Sequence, residues 1–228
     1  IDSGRTGASK YRFERFNFDG TDKIIFVDGT NAPVVFNSSL SATDVSDSSV
    51  AGSKYVVSFK NHMFYAGKST TIQEFAGDLI FLGPDGLRTI AGTARIGDVE
   101  LGTISSNVQP IFNDNISDAS EFDSVVIPDK TQYRIFFTKS NVAENQTKGI
   151  ICVLKGQKFE FAELRGIRPS CTDHFVDEGD VTVLHGSYQS GYIYRQEIGN
   201  TFDGTSIFAK YRSPDLTFND PGIRKHIC

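Results

Sequence analysis

The chain has no tryptophan, one methionine and three cysteines, Cys152, Cys171 and Cys228, among its 228 residues. An odd, widely spaced set of thiols does not make a disulfide framework and suits a reducing compartment. Blocks of like charge are missing too. The 23 Lys and Arg are interspersed with 28 Asp and Glu for a net charge of −5, which leaves no electrostatic footprint for nucleic acid or an anionic membrane. No apolar run approaches the roughly 20 residues of a spanning helix, and the opening IDSGRTGASKYRFER lacks the apolar segment of a signal peptide. A soluble product with no membrane contact is expected, with DNA contact disfavoured. Helical periodicity is scarce as well. Only VELGTISSNVQPIF (99–112) leaves room for one or two helical turns before Pro110.

What is present is aromatic. The apolar 39% includes 19 Phe and 8 Tyr, residues that suit pleated, half-buried surfaces. A chain of this length buries a sizeable core as one all-β domain or two small ones. Short apolar runs recur in KIIFVDGTNAPVVF (23–36), KYVVSFKNHMFYAG (54–67), GDLIFLGPDGLRTIAG (77–92), YRIFFTKS (133–140), KGIICVLKGQKFEFAEL (148–164) and GDVTVLHGSYQSGYIYRQEI (179–198). Most read as two strands and a turn, the turn being Asp28-Gly29, Lys60-Asn61, Pro84-Asp85-Gly86, Lys155-Gly156 or Ser190-Gly191. The Ser- and Asp-rich stretch 37–53 and the acidic stretch 113–124 read as loops.

Strands entering these hairpins start near Asp22, Asp78, Tyr133 and Asp180, at intervals of 56, 55 and 47 residues. A period of about 50 is what radially repeated β-sheet blades produce, because one four-stranded sheet cannot bury both of its faces alone. The expectation is therefore an all-β chain forming one β-propeller or partial propeller of antiparallel sheets over residues 1–228. A pair of β-sandwiches is the rival.

Chemistry-bearing residues are few. Asp114, Asp118, Glu121 and Asp123 gather hard oxygen ligands in one loop, as calcium requires, but their spacing departs from D-x-[DN]-x-[DN]-G and favours a solvated acidic loop. CTDH (171–174) places a thiol and an imidazole near one another, without the second pair a zinc site needs; His185, Cys152 or His62 would have to approach by folding. The carboxylates Asp177, Glu178 and Asp180 are the least poor pair for glycoside hydrolysis, and VDEGD is more simply a turn. G-x-S-x-G is absent, and GPDG and GTARIGD lack the Lys-Ser/Thr of a phosphate loop. Tyr188, Tyr192 and Tyr194, close to a turn, offer rings on which sugars stack. The cations Arg165, Arg168, Arg195, Arg212, Arg224 and Lys225 are interleaved with acids and read as surface or interface pairs, and the sequons at Asn37, Asn115 and Asn145 matter only in a eukaryotic secretory setting. No cofactor is implied and no catalytic residue is assigned.

Some of the wording is more specific. GDLIFLGPDGLRTIAGTARIGDVELGTIS (77–105), VVIPDKTQYRIFFTKS (125–140), KGQKFEFAELRGIRP (155–169) and GNTFDGTSIFAKYRSPDLTFNDPGIRKH (199–226) resemble a virion structural protein of tailed bacteriophages, of the kind found in T-even-like myophages of marine cyanobacteria and related marine hosts. FNFDGTDKIIFVDGTNAPVVF followed by FKNHMFYAG is similar to the repeat of podophage tail nozzle, or tail tubular, proteins, for which the resemblance implies a β-propeller. The likeness covers most of residues 11–226. It implies a structural role in the tail, neck or nozzle of a virion assembled in the bacterial cytoplasm, exercised by homo-oligomerisation and contact with other virion proteins. A receptor- or glycan-binding module on the particle is the second reading, and a glycan-cleaving enzyme the third. The family pattern leads us to expect another blade or two where residues 68–71 join HMFYAG to IQEFAG directly. With Ile1 in place of an initiator Met and the blunt end RKHIC, that junction points to a shortened or fragmentary chain.

Overall fold

The computed structural model describes residues 10–67, 71–90, 103–119, 121–140, 147–156 and 158–207, together with residues 5, 7, 8 and 142. The chain divides into two compact units, Ile1–Gln196 and Glu197–Cys228. The junction residues 68–70, the GTARIGD stretch, Asn145, Cys228 and the cations Arg212, Arg224 and Lys225 lie outside the described residues.

Among the described residues the first unit is β apart from one short α-helix and 3-10 turns, and its strands are wired as antiparallel meanders in which neighbours in space are neighbours in sequence. The first sheet holds β1 (Arg12–Phe16), β2 (Lys23–Val27), β3 (Val34–Phe36) and β4 (Ala42–Asp44). A hairpin of β5 (Tyr55–Phe59) and β6 (His62–Ala66) follows, then β7 (Ile72–Phe75), β8 (Asp78–Gly83) and β9 (Gly86–Thr89). After helix α1 (Gln109–Ile116) come β10 (Glu121–Ile127), β11 (Gln132–Thr138), β12 (Lys148–Lys155) and β13 (Lys158–Arg165). The last sheet of the unit is β14 (Pro169–Asp177), β15 (Asp180–Ser187) and β16 (Ile193–Arg195). The described part of the second unit is a small hairpin, β17 (Thr201–Phe202) and β18 (Thr205–Ser206).

Local chemistry explains the turns. Lys60 and Asn61 stand at φ 47° and 59°, so the two-residue loop twists with its strands and sets the register Phe59 opposite His62. Glu178-Gly179 does the same between β14 and β15. Two expected turns are drawn differently: Asp28-Gly29 opens a wider loop before β3, and Gly86 already pairs with Gly83, leaving Pro84-Asp85 as the loop. The run 77–92 is more than one hairpin, because Ala76-Gly77, both at positive φ, folds β7 onto β8. Pro110 does not end a helix. It sits in the first turn of α1, where a missing N–H costs nothing.

Packing follows the strand pattern. The run QYRIFFT of β11 is buried from its second residue onward, as expected of a strand covered on both faces. Its Tyr133 and Phe137 meet Leu82, Leu87 and Phe112 in the largest core, where Phe112 and Phe122 each stand edge-on to Phe137 at 5.7 and 5.9 Å. Smaller clusters join each sheet to the next along the chain. Ile25 and Val27 pack on Val56, Tyr55 and Val57 on Ile72 and Leu79, and Val125 and Phe136 on Val183.

Candidate assembly face and ligand groove

The acids singled out from sequence do not gather. Asp114 lies on α1, and its main-chain carbonyl, not its carboxylate, accepts from Lys139 Nζ. Asp118 forms an ion pair with Lys139 at 3.5 Å, and Glu121 one with Lys10 at 3.7 Å. Asp123 is buried in β10. Among the described residues, no three His, Cys, Asp or Glu side chains are grouped as metal ligands. Cys171 and His174 are three residues apart on a regular part of β14, which puts them on opposite faces of the sheet, so the CTDH pair shares no site. His185 is buried against Gln196 (Nδ1 to Nε2, 3.3 Å) and stacks on Tyr194 at 5.3 Å, and burial lowers its pKa. Cys152 is wholly buried, which pushes its thiol up to about 12. Asp177 and Asp180 face each other across the Glu178-Gly179 turn, all exposed. Tyr192 meets Tyr194 edge-on at 6.3 Å, while Tyr188 packs under the buried Arg168 guanidinium at 4.3 Å. Of the sequons, Asn37 is exposed, and Asn115 is buried with its amide donating to Ile111 O at 2.6 Å.

Asp123 instead marks a junction of β1, β5, β10 and β14, each the first strand of its sheet. Its carboxylate accepts from Arg12 Nη2 at 3.4 Å and from the Thr172 hydroxyl at 2.6 Å. Arg12 also donates to Lys54 O and lies over the Tyr55 ring at 3.8 Å, and the Tyr55 hydroxyl donates to Phe122 O. Lys10 reaches the Ser170 carbonyl of β14. Burial pushes the Asp123 carboxyl above the usual range, against the pull of Lys10, Thr172 and Arg12.

Two surface features stand apart. The first is the face of β1–β3 turned away from the Ile25/Val27 core. Register places Phe13 beside Phe26 and Val34 there, and Ile24 beside Phe36. Tyr11 and Phe13 each contact Phe26 at 5.7 Å and Phe36 stacks on it at 5.5 Å, yet Phe13 is 64% exposed and Tyr11 and Ile24 are 46% exposed. On this face Phe26 and Val34 are buried, with Arg5 over the Phe26 ring at 4.8 Å, so its apolar exposure is concentrated at Tyr11, Phe13 and Ile24.

The second is a groove of about 470 Å³ where the end of β1 meets the β5–β6 and β7–β8 turns. Its rim carries Arg15, Asn17, Phe18, Lys60, Asn61 and Glu74 above Phe16 and Phe59. Neither feature was readable from the sequence, because each is built from side chains on separate strands. Among the described residues, no helix is long and apolar enough to cross a membrane. No known family model matches the chain, no curated protein matches it, and no solved structure matches its fold.

Proposed function

We propose that the chain is a structural component of a tailed-phage virion, at the tail, neck or nozzle, with its sheets arranged as propeller-like blades. It works by assembly with copies of itself and with other virion proteins, and carries out no reaction. The observation that carries the reading is the open aromatic face of β1–β3, where Tyr11, Phe13 and Ile24 remain in water although the opposite face of the same sheet is already buried. Leaving such side chains about half exposed forgoes roughly half of the ~1.5–3 kcal/mol that full burial of each supplies, a loss recovered when a neighbour covers them.

Three further points support it. The runs at 77–105, 125–140 and 155–169 resemble virion structural protein wording. The second strands of four meanders, β2, β8, β11 and β15, open at Lys23, Asp78, Gln132 and Asp180, spacings of 55, 54 and 48 residues that suit blades. First strands converging on Asp123 are what a ring of blades requires along its axis. Antiparallel sheets with short loops make stiff walls, as a particle under load needs. Mass spectrometry and electron microscopy of purified particles test the proposal: the chain is expected as a stoichiometric, localised component. A strictly monomeric protein missing from purified virions would remove it.

A further inference from the structure

We propose that the groove at the end of β1 binds a saccharide chain. Its walls are fixed before any ligand arrives. The Glu14 carboxylate accepts from both the Ser58 N–H (3.0 Å) and the Ser58 hydroxyl (2.6 Å), tying β1 to β5 directly beside the groove. The left-handed pair Lys60-Asn61 holds the second wall, with His62 Nδ1 bonded to Lys60 O at 2.8 Å. A preformed site avoids the ordering entropy that weakens binding to a loop.

The chemistry of the rim selects the ligand class. Phe18 rests against Phe16 at 5.0 Å and keeps 38% of its surface open, a ring face on which the C–H side of a sugar lies. Around it stand the amides Asn17 and Asn61, which both donate and accept, the ammonium of Lys60 and the carboxylate of Glu74. Hydroxyl groups on adjacent sugar carbons require that mixture of donors and acceptors, since each is both. A nucleic acid fits less well. Arg15 is already taken by Asp22 at 2.8 Å and Lys23 by Asp19 at 2.5 Å, and the Lys60 ammonium, over the Phe59 ring at 4.9 Å, shares the rim with the Glu74 carboxylate, whereas phosphate binding draws on several uncompensated cations. A lipid or apolar peptide fits less well again, because the rim is polar. The volume lies within the ~300–1,000 Å³ typical of sites for small ligands.

The test uses the full chain on a glycan array, followed by calorimetric titration with the best saccharide found and with the oligonucleotide dT15. Saturable binding to a saccharide is expected. It should weaken about tenfold in Phe18→Ala and in Asn61→Ala, with unchanged far-ultraviolet circular dichroism, and persist in Tyr192→Ala on the other exposed aromatic pair. An empty array, affinity for dT15 alone, or saccharide binding lost in Tyr192→Ala but kept in Phe18→Ala would overturn the assignment. None of these outcomes depends on whether the chain is found in a virion.

Discussion

Asp28 ties the shape of a loop to its own protonation. Its Oδ1 accepts from the Thr30 and Asn31 backbone N–H groups at 2.9 and 2.8 Å, and its Oδ2 accepts from the Asn31 amide at 2.8 Å and Arg5 Nε at 2.9 Å. Burial alone would raise its pKa, but these four bonds outweigh it and hold the carboxyl well below the usual carboxylate range. A depressed folded pKa means stability that is fully present above the ordinary value of about 3.9 and is lost as pH falls through the folded one. Asp28→Asn should therefore cost about 1–3 kcal/mol at pH 7, and the gap to the unmodified protein should close as pH drops below about 4. Urea unfolding at a series of pH values measures this; a gap independent of pH would show that the charge is immaterial.

Between elements, the contact that matters most is Arg12 with Asp123, because it links β1 to β10 while Thr172 brings in β14. Removing Arg12 takes away one of the groups, with Lys10 and Thr172, that hold the buried carboxylate, so Arg12→Ala should lose about 1–3 kcal/mol in chemical denaturation. The pair replacement Arg12→Met with Asp123→Leu should lose less, since an apolar pair leaves no orphan charge. Equal losses would mean that the pair is solvated rather than buried. This is also where sequence reading stops. The all-β class and most hairpins were legible because turn residues such as Lys60-Asn61 act on their immediate neighbours. Ala76-Gly77 escaped notice because alanine is an uncommon residue at positive φ. Asp123 was noticed for the wrong reason: it looked like one of four loop acids, whereas its partners are 111 and 49 residues away and leave no periodic trace. The groove was invisible for the same cause, being assembled from three separated segments, and the Cys171/His174 pair misled because strand alternation, not nearness in sequence, decides which side chains meet.

Across the first unit, the two faces of one sheet differ in exposure. Val27 and Phe13 lie on one sheet, yet Val27 is 1% exposed and Phe13 is 64% exposed. If the open face mediates association, Phe13→Asp should shift the protein in analytical ultracentrifugation from associated species to monomer. Its denaturation midpoint should hardly move, since exposed substitutions usually change stability by less than about 0.5 kcal/mol. Retained association in that variant would place the contact elsewhere.

The wiring of the sheets also sets a timetable. Each hairpin pairs strands that follow one another directly, so it is able to form soon after its second strand has been synthesised, and such local closures are fast. Lys10 and Arg12 make the longest-range of the contacts described above: Arg12 meets Asp123 on β10 and Lys10 meets Ser170 on β14, 111 and 160 residues later in the chain. The β1–β2 hairpin is therefore able to close early, while its ties to β10 and β14 wait for those strands.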